Sequence, residues 1–161
     1  MPSLNLSGYT WQAGTTRDRP LLIDFARRTY SELYPQEDFS HLSDTVDRLL
    51  SAHTPLWWVE ADKNGDRVAC LWIGRILHPL NGRSHSQIFL LYVDPAHRRQ
   101  GIATALVKAA MERSRCVGEG HLGVQVFANN HRARQFYEKL GFETLSFLTI
   151  VALDRPSDRP G

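Results

Sequence analysis

The sequence predicts a mixed α/β fold, an antiparallel meander followed by a parallel β-α-β unit, with helices on both faces of the sheet. Three observations carry this prediction. Apolar residues recur at spacings of three and four before position 51 and again after position 101, which is helical periodicity. Between these stretches, residues 56–93 hold strand-like runs broken by Asn64-Gly65 and Asn81-Gly82, the pairs that favour tight hairpin turns. Strand, helix and strand then follow one another over residues 86–128, and two strands joined in this way run parallel in one sheet through a right-handed crossover.

The elements follow in chain order. Residues 9–13 read as a short strand. Asp18 and Pro20 mark a helix start, and Leu22, Phe25, Ala26, Tyr30 and Leu33 form one apolar face before Pro35 stops it. Ser43 or Asp44 opens a second helix bearing Val46, Leu49 and Leu50, closed by Pro55. Residues 56–61, 67–77 and 86–93 are the three strands of the meander. A helix runs from about position 102 to Gly118, with Ile102, Leu106, Ala109 and Ala110 on one face. Residues 121–128 form a strand in which Leu122, Val124 and Val126 alternate. Asn129 or Asn130 caps a last helix carrying Ala133, Phe136, Tyr137 and Leu140, and Gly141 ends it. Residues 142–153 read as further strand.

Composition bounds the function. A chain of 161 residues fits one domain, here 1–153, followed by a disordered tail, 154–161, that contains two prolines and a glycine. With 42% hydrophobic and 22% charged residues it has the make-up of a globular protein. The net charge of +2 is too small to point to a nucleic-acid partner. The longest apolar run, residues 88–93, is far short of the roughly 20 residues of a membrane span. No basic stretch followed by an apolar core opens the chain, so we expect a cytoplasmic protein without a membrane partner. Cys70 and Cys116 show no metal-type spacing and are expected as reduced thiols in or near the core; the seven histidines form no HExxH pattern, and no metal is expected.

The chemistry concentrates in Arg98-Arg99-Gln100-Gly101-Ile102-Ala103, which lies between a strand end and a helix start. The first turn of a helix presents unpaired amides and a partial positive charge. Gly101 lets an anion approach the backbone, Ala103 is nearly as permissive, and Arg98 and Arg99 add charge. Such a loop suits a phosphate, most naturally a pyrophosphate. It lacks the Gly-Lys-Ser/Thr of a Walker loop and is not GxGxxG. Taken alone, it reads equally as a basic helix start with a packing glycine.

It has companions. Asp94-Pro95 precedes it, and Asn130, Ala133, Tyr137, Gly141 and Phe142 follow in the pattern Asn-x-x-Ala-x-x-x-Tyr-x-x-x-Gly-Phe. Together these resemble the two signatures of the GNAT superfamily of N-acetyltransferases, most closely over residues 87–142. The resemblance implies acetyl-CoA as cofactor and donor, and a primary amine of a small molecule or a polypeptide as acceptor. It implies that Arg98, Arg99, Gln100, Gly101, Ile102, Ala103 and Thr104 hold the pyrophosphate, mainly through backbone amides. Leu91, Tyr92 and Val93 would pair with the pantetheine arm as an added strand does, one of their amides serving as oxyanion donor. Asn130 would bond the cofactor arm, and Tyr137 would protonate the leaving thiolate.

The sequence departs from the family twice. Gln87 stands where many members carry a glutamate, so the base is open among His85, Glu37, Asp38 and water relaying to one of them. Beyond Phe142 only residues 143–153 remain ahead of the tail, where the family usually fits two strands. Tyr137 also reads as a core aromatic. Tyr30, Tyr34, Glu37, Asp38 and Phe39 lie where the family forms its acceptor site, and they read equally as an ordinary solvated loop. Arg132 and Arg134 suit surface charges, with the nucleotide 3′-phosphate as a second reading for Arg134. A non-catalytic acyl-CoA-binding module of the same fold is the rival function, and an exposed strand end would let two copies pair as a homodimer.

Overall fold

Both Asn-Gly pairs turn the chain as their chemistry dictates. Gly65 and Gly82 take φ of 74° and 66°, the left-handed region that favours glycine. In each turn the preceding asparagine Oδ1 accepts a backbone N–H two residues on, from Asp66 and from Arg83. These turns join the strands β2 (Leu56–Ala61), β3 (Arg67–Leu77) and β4 (Ser84–Val93). The computed structural model describes residues 5–153, so the predicted tail lies outside the described residues.

Residues 5–127 make one compact unit. It adds β1 (Tyr9–Ala13), α1 (Arg19–Leu33), α2 (Leu42–Leu49), α3 (Ile102–Cys116) and β5 (Leu122–Val124). The sheet order is β1-β2-β3-β4-β5, antiparallel throughout except for the parallel β4–β5 pair. This is the mixed sheet expected, with the crossover made by α3.

Strand alternation sorts the core into two layers. Trp58, Cys70, Trp72, Leu90 and Tyr92 pack with Leu22, Phe25, Ala26, Leu42 and Val46 of α1 and α2. The opposite face carries Trp57, Val59, Ala69, Leu71 and Ile73, with Ile102, Leu106, Val107 and Ala110 buried along α3. β2 and β3 are therefore apolar on both faces, as strands covered on both sides must be. No helix among the described residues is long and apolar enough to cross a membrane.

Residues 128–153 form a second unit. Asn130 caps α4 (His131–Lys139) by accepting the Ala133 N–H at 3.1 Å, and Gly141, with φ of 94°, turns the chain out of the helix.

Some boundaries differ from expectation. α2 starts at Leu42, ahead of Ser43 and Asp44. Asp18 occupies the N-cap position of α1, but its side chain makes no cap bond there. Its carboxylate instead accepts from the Thr15 amide, Trp58 Nε1 and Arg67. The predicted strand over residues 121–128 is only Leu122–Val124, and residues 142–153 are not in a strand at all. Cys70 is buried as expected, but Cys116 is exposed.

Candidate active site

The geometry of the site begins with one extra residue in β4. Trp72 pairs with Leu90 and Ile73 pairs with Ile88, so Phe89 has no partner across the ladder and forms a β-bulge. A bulge bends its strand, and the β4–β5 ladder ends at that point, with Ile88 opposite Val124. Beyond it, Leu90, Leu91, Tyr92 and Val93 pair with β3 on one side only. Every second peptide group along this run points away from β3. Leu91, Tyr92 and Val93, the residues implied for the pantetheine arm, are the ones that line this free edge.

The bulge is supported from β3. The Phe89 ring packs edge-on against Trp72, with centroids 5.2 Å apart. It fills the place of a side chain at Gly74, where a Cβ would stand 1.8 Å from Phe89 Cε2. A glycine inside a strand is the signature of such a close approach, and it was the readable signal for the bulge.

The free edge runs directly into the phosphate-type loop. Arg99 takes φ of 61°, rare for a residue with a side chain, and Gly101 takes 83°. The Gly101 position has room for a Cβ, whose nearest neighbour would be Leu6 Cδ2 at 3.6 Å, so its dihedral angle is what calls for glycine. Ala105 donates to the Gly101 carbonyl at 3.0 Å, the first bond of α3. The amides of Ile102, Ala103 and Thr104 lie N-terminal to that bond and face out of the helix end, where the dipole is positive. Two left-handed residues flanking Gln100 give the concave run of amides that suits an anion.

The two arginines have different employment. Arg98 donates from Nε to the Val93 carbonyl at 2.9 Å and pairs with Glu32 of α1. It fastens the loop to the end of β4, a role the sequence did not reveal. Arg99 is exposed, and its charge remains available beside the amides. Tyr9 Oη lies 2.9 Å from His97 Nδ1 and ties the preceding turn to β1.

The base candidates also separate. Asp38 accepts from the Ser40 amide and hydroxyl, which holds its carboxyl below the usual range, and it is committed to that turn. Glu37 is exposed in the same loop. His85 is buried, two residues from Gln87 on the same side of β4, with Nδ1 2.9 Å from the Ser86 carbonyl. A carbonyl oxygen can only accept, so Nδ1 is the donor in that contact. The rings of His78 and His121 lie 5.6 and 6.2 Å from that of His85. Gly123 of β5 abuts both His85 and Gln87, with a Cβ position 3.1 Å from His85 Cε1 and 3.4 Å from Gln87 Oε1.

The predicted acceptor residues gather in part. Tyr30 stacks on Phe39 with centroids 5.7 Å apart, and Tyr30 and Tyr34 both meet Phe127 edge-on. Phe127 is the member the sequence did not suggest. Among the described residues, no cluster of three or more His, Cys, Asp or Glu is arranged to hold a metal ion.

Within the second unit, Tyr137 is buried, with the rings of Phe136 and Phe142 edge-on to it at 5.0 and 5.1 Å. Burial pushes its phenol well above the ordinary value. Asn130 uses Oδ1 in the helix cap and keeps both Nδ2 protons as donors for a ligand. Arg134 bonds the Ala128 carbonyl at 3.1 Å, and Arg132 is exposed.

Comparison with known proteins fits this geometry. The chain is 28% identical over 132 residues to N-acetyltransferase family 8 member 3 of Rattus norvegicus, a match covering 77% of this chain and 58% of that protein. It thus spans little more than half the length of that relative. In structure it is similar to a predicted acetyltransferase of Clostridium acetobutylicum solved with acetyl-CoA (TM-score 0.74, 18% identity, 90% and 96% of the two chains). It is also similar to an aminoglycoside 6′-N-acetyltransferase of Acinetobacter baumannii (TM-score 0.65, 20% identity, 92% and 100% of the two chains). These two likenesses concern the fold. Residues 20–142 match the acetyltransferase (GNAT) family, most of the chain, and the protein belongs to that family.

Proposed function

We propose that this chain binds acetyl-CoA and transfers its acetyl group to a primary amine. The observation that carries the reading is the free edge of β4 beyond the Phe89 bulge leading straight into the amide-lined turn at Arg99–Gly101. An extended arm ending in a diphosphate matches both halves of that surface: strand-like pairing along Leu91, Tyr92 and Val93, then anion contacts to the amides from Arg99 to Thr104. The clamp made by Arg98 supports the fit, because it holds the loop in place before any ligand arrives.

The bound thioester would supply an activated acetyl carbonyl. A backbone amide of the β4 edge polarises its oxygen as negative charge develops. Tyr137 holds a proton for the departing sulfur, and its buried phenol keeps that proton through neutral pH. An amine is mostly protonated at neutral pH, so its proton must leave before it attacks. Asp38 is spent on Ser40, and we assign the acceptance of that proton to His85 Nε2, directly or through water, with Gln87 beside it as a neutral hydrogen-bonding group. The aromatic wall of Tyr30, Tyr34, Phe39 and Phe127 suits a cationic acceptor before it loses its proton. One of the similar structures is named for an aminoglycoside acceptor, and the class we propose is an amine on a small molecule or a polypeptide.

The test is release of free thiol from acetyl-CoA with a panel of amines, ammonium-bearing sugars and peptides. Wild type should turn over at least one of them. Tyr137→Phe should lower kcat about 10²-fold, the scale of general acid catalysis, with acetyl-CoA uptake unchanged. His85→Gln should lower turnover in the same way. Uptake without turnover on any amine would favour the non-catalytic acyl-CoA module; loss of uptake in Tyr137→Phe would assign that ring to binding.

A further inference from the structure

Three histidines that stand apart in the chain come together at one end of the sheet, all within residues 5–127. The His78 ring centroid lies 5.6 Å from that of His85 and 4.6 Å from that of His121, and His85 and His121 are 6.2 Å apart. Alternation along β3 puts Trp72, Gly74, Ile76 and the following His78 on one side, the side on which Trp72 packs with α1 and α2. Tyr30 and Phe39 of the aromatic wall pack against that same cluster. The three rings therefore share the sheet face on which the acceptor residues gather.

Hydrogen bonds fix which edge of two of these rings is free. His78 is held by both of its backbone groups: its N–H donates to the Arg83 carbonyl and its carbonyl accepts from the Gly82 amide, each at 2.8 Å. Its Nδ1 accepts the Leu80 amide at 3.1 Å, which places the ring proton on Nε2. Burial and the His121 and His85 rings hold His78 below the ordinary histidine value, so at neutral pH it is an uncharged N–H donor. His121 can present an N–H from either nitrogen. The charge at this end is one-sided. Residues 75–88 carry Arg75, His78, Arg83 and His85 and no acidic residue. Glu119 is already paired: its carboxylate accepts the Ser86 amide at 3.0 Å and lies 2.7 Å from the Arg75 guanidinium.

We infer that His78 and His121 bind a carboxylate that the acceptor carries beside its amine, so that the acceptor is an amino acid or another small amine with an adjacent carboxylate. Placing the amine at His85 Nε2 rests on the acetyl-transfer reading; placing the carboxylate rests on the three rings. An α-amino carboxylate holds its nitrogen and nearer carboxylate oxygen about 3 Å apart. A nitrogen at His85 thus leaves the oxygens within reach of rings centred 5.6 and 6.2 Å away. The two oxygens take one N–H from His78 and one from His121, and their charge complements Arg75 and Arg83 at this end. A simple amine in the same place offers the His78 N–H no acceptor, and a site with such a donor discriminates against it.

The test gives the full chain the common L-amino acids, each as free acid and as α-carboxamide. Turnover is read as thiol release from acetyl-CoA. Binding, which needs no turnover, is read from the ring resonances of His78 and His121 in isotope-labelled protein. At least one acid should shift both rings saturably. Its carboxamide should be weaker in binding and in kcat/KM by about tenfold or more, the scale of a hydrogen bond to a charged group. His78→Asn keeps an acceptor for the Leu80 amide and deletes the Nε2 donor. This variant and His121→Asn should each narrow the preference for the acid, with acetyl-CoA uptake retained. Three results would overturn the assignment: no acid that shifts the rings, a carboxamide served as well as its acid, or a preference for the acid that survives both substitutions. Turnover of amines in those cases leaves acetyl transfer standing. Acid-specific ring shifts without turnover of any amine would instead support the carboxylate site and count against the catalytic reading.

Discussion

At the scale of single residues, side chains with readable local roles turn out to serve distant partners. Asp18 stands at a helix start, which its residue type announces, but its carboxylate gathers Arg67, the Thr15 amide and Trp58 Nε1. Burial pushes that carboxyl up, and the three hydrogen bonds outweigh it, so the group ends below its ordinary value. A depressed carboxyl contributes stability that is present above its unfolded value near 4 and lost as pH falls through the folded value. Asp18→Ala should therefore destabilise the neutral protein by about 2 kcal/mol, by leaving Arg67 and the Trp58 N–H without their acceptor. Denaturant unfolding at pH 7 and pH 3 checks this: the gap between wild type and variant should narrow in acid, and an equal gap at both would contradict it. Tyr137 follows the opposite sign. Its raised phenol stays protonated past pH 10, so kcat should show no alkaline decline below pH 10 from this group. A wild-type decline centred below pH 10 that disappears in Tyr137→Phe would contradict that assignment.

At the scale of elements, the turn chemistry and periodicity were legible and the neighbours were not. Asn64-Gly65, Asn81-Gly82 and the helical spacing of Leu22, Phe25 and Ala26 each act within a few residues, so the sequence displays them directly. The bulge at Phe89 depends on how β3 and β4 register, and nothing in residues 86–93 alone announces it; Gly74, on the other strand, carries the sign. The shortening of β5 has the same origin, since a strand with good alternation still needs a partner for its ladder. The bulge can be tested from Gly74. Gly74→Val would drive a side chain into the Phe89 ring. It should cost about 1–3 kcal/mol of stability as overpacking does, and it should weaken acetyl-CoA binding about tenfold by disturbing the free edge of β4. Thermal unfolding and calorimetric titration measure the two effects. Unchanged affinity in a destabilised Gly74→Val would show that the bulge does not shape the cofactor edge.

At the scale of the whole molecule, the family was readable because its signatures are short and local: Arg98 to Ala103, and Asn130 to Phe142. The roles within them were readable only in part. Sequence could place Arg98 beside a phosphate, but its clamp on Val93 and Glu32 depends on α1 arriving from elsewhere in the chain. Asn130 shows the same limit, its oxygen serving the helix it caps. The acceptor was the least legible feature, since Phe127 joins Tyr30, Tyr34 and Phe39 only through the fold. What unites the molecule is the passage from bulge to free strand edge to amide-lined turn. Isothermal titration of the purified full chain with acetyl-CoA tests it most directly. We predict saturable uptake of one molecule per chain, with Gly101→Val weakening it about tenfold or more, about 1.4 kcal/mol, because its left-handed backbone does not suit a β-branched residue. No heat of binding for acetyl-CoA or CoA by the folded wild-type protein would contradict the account.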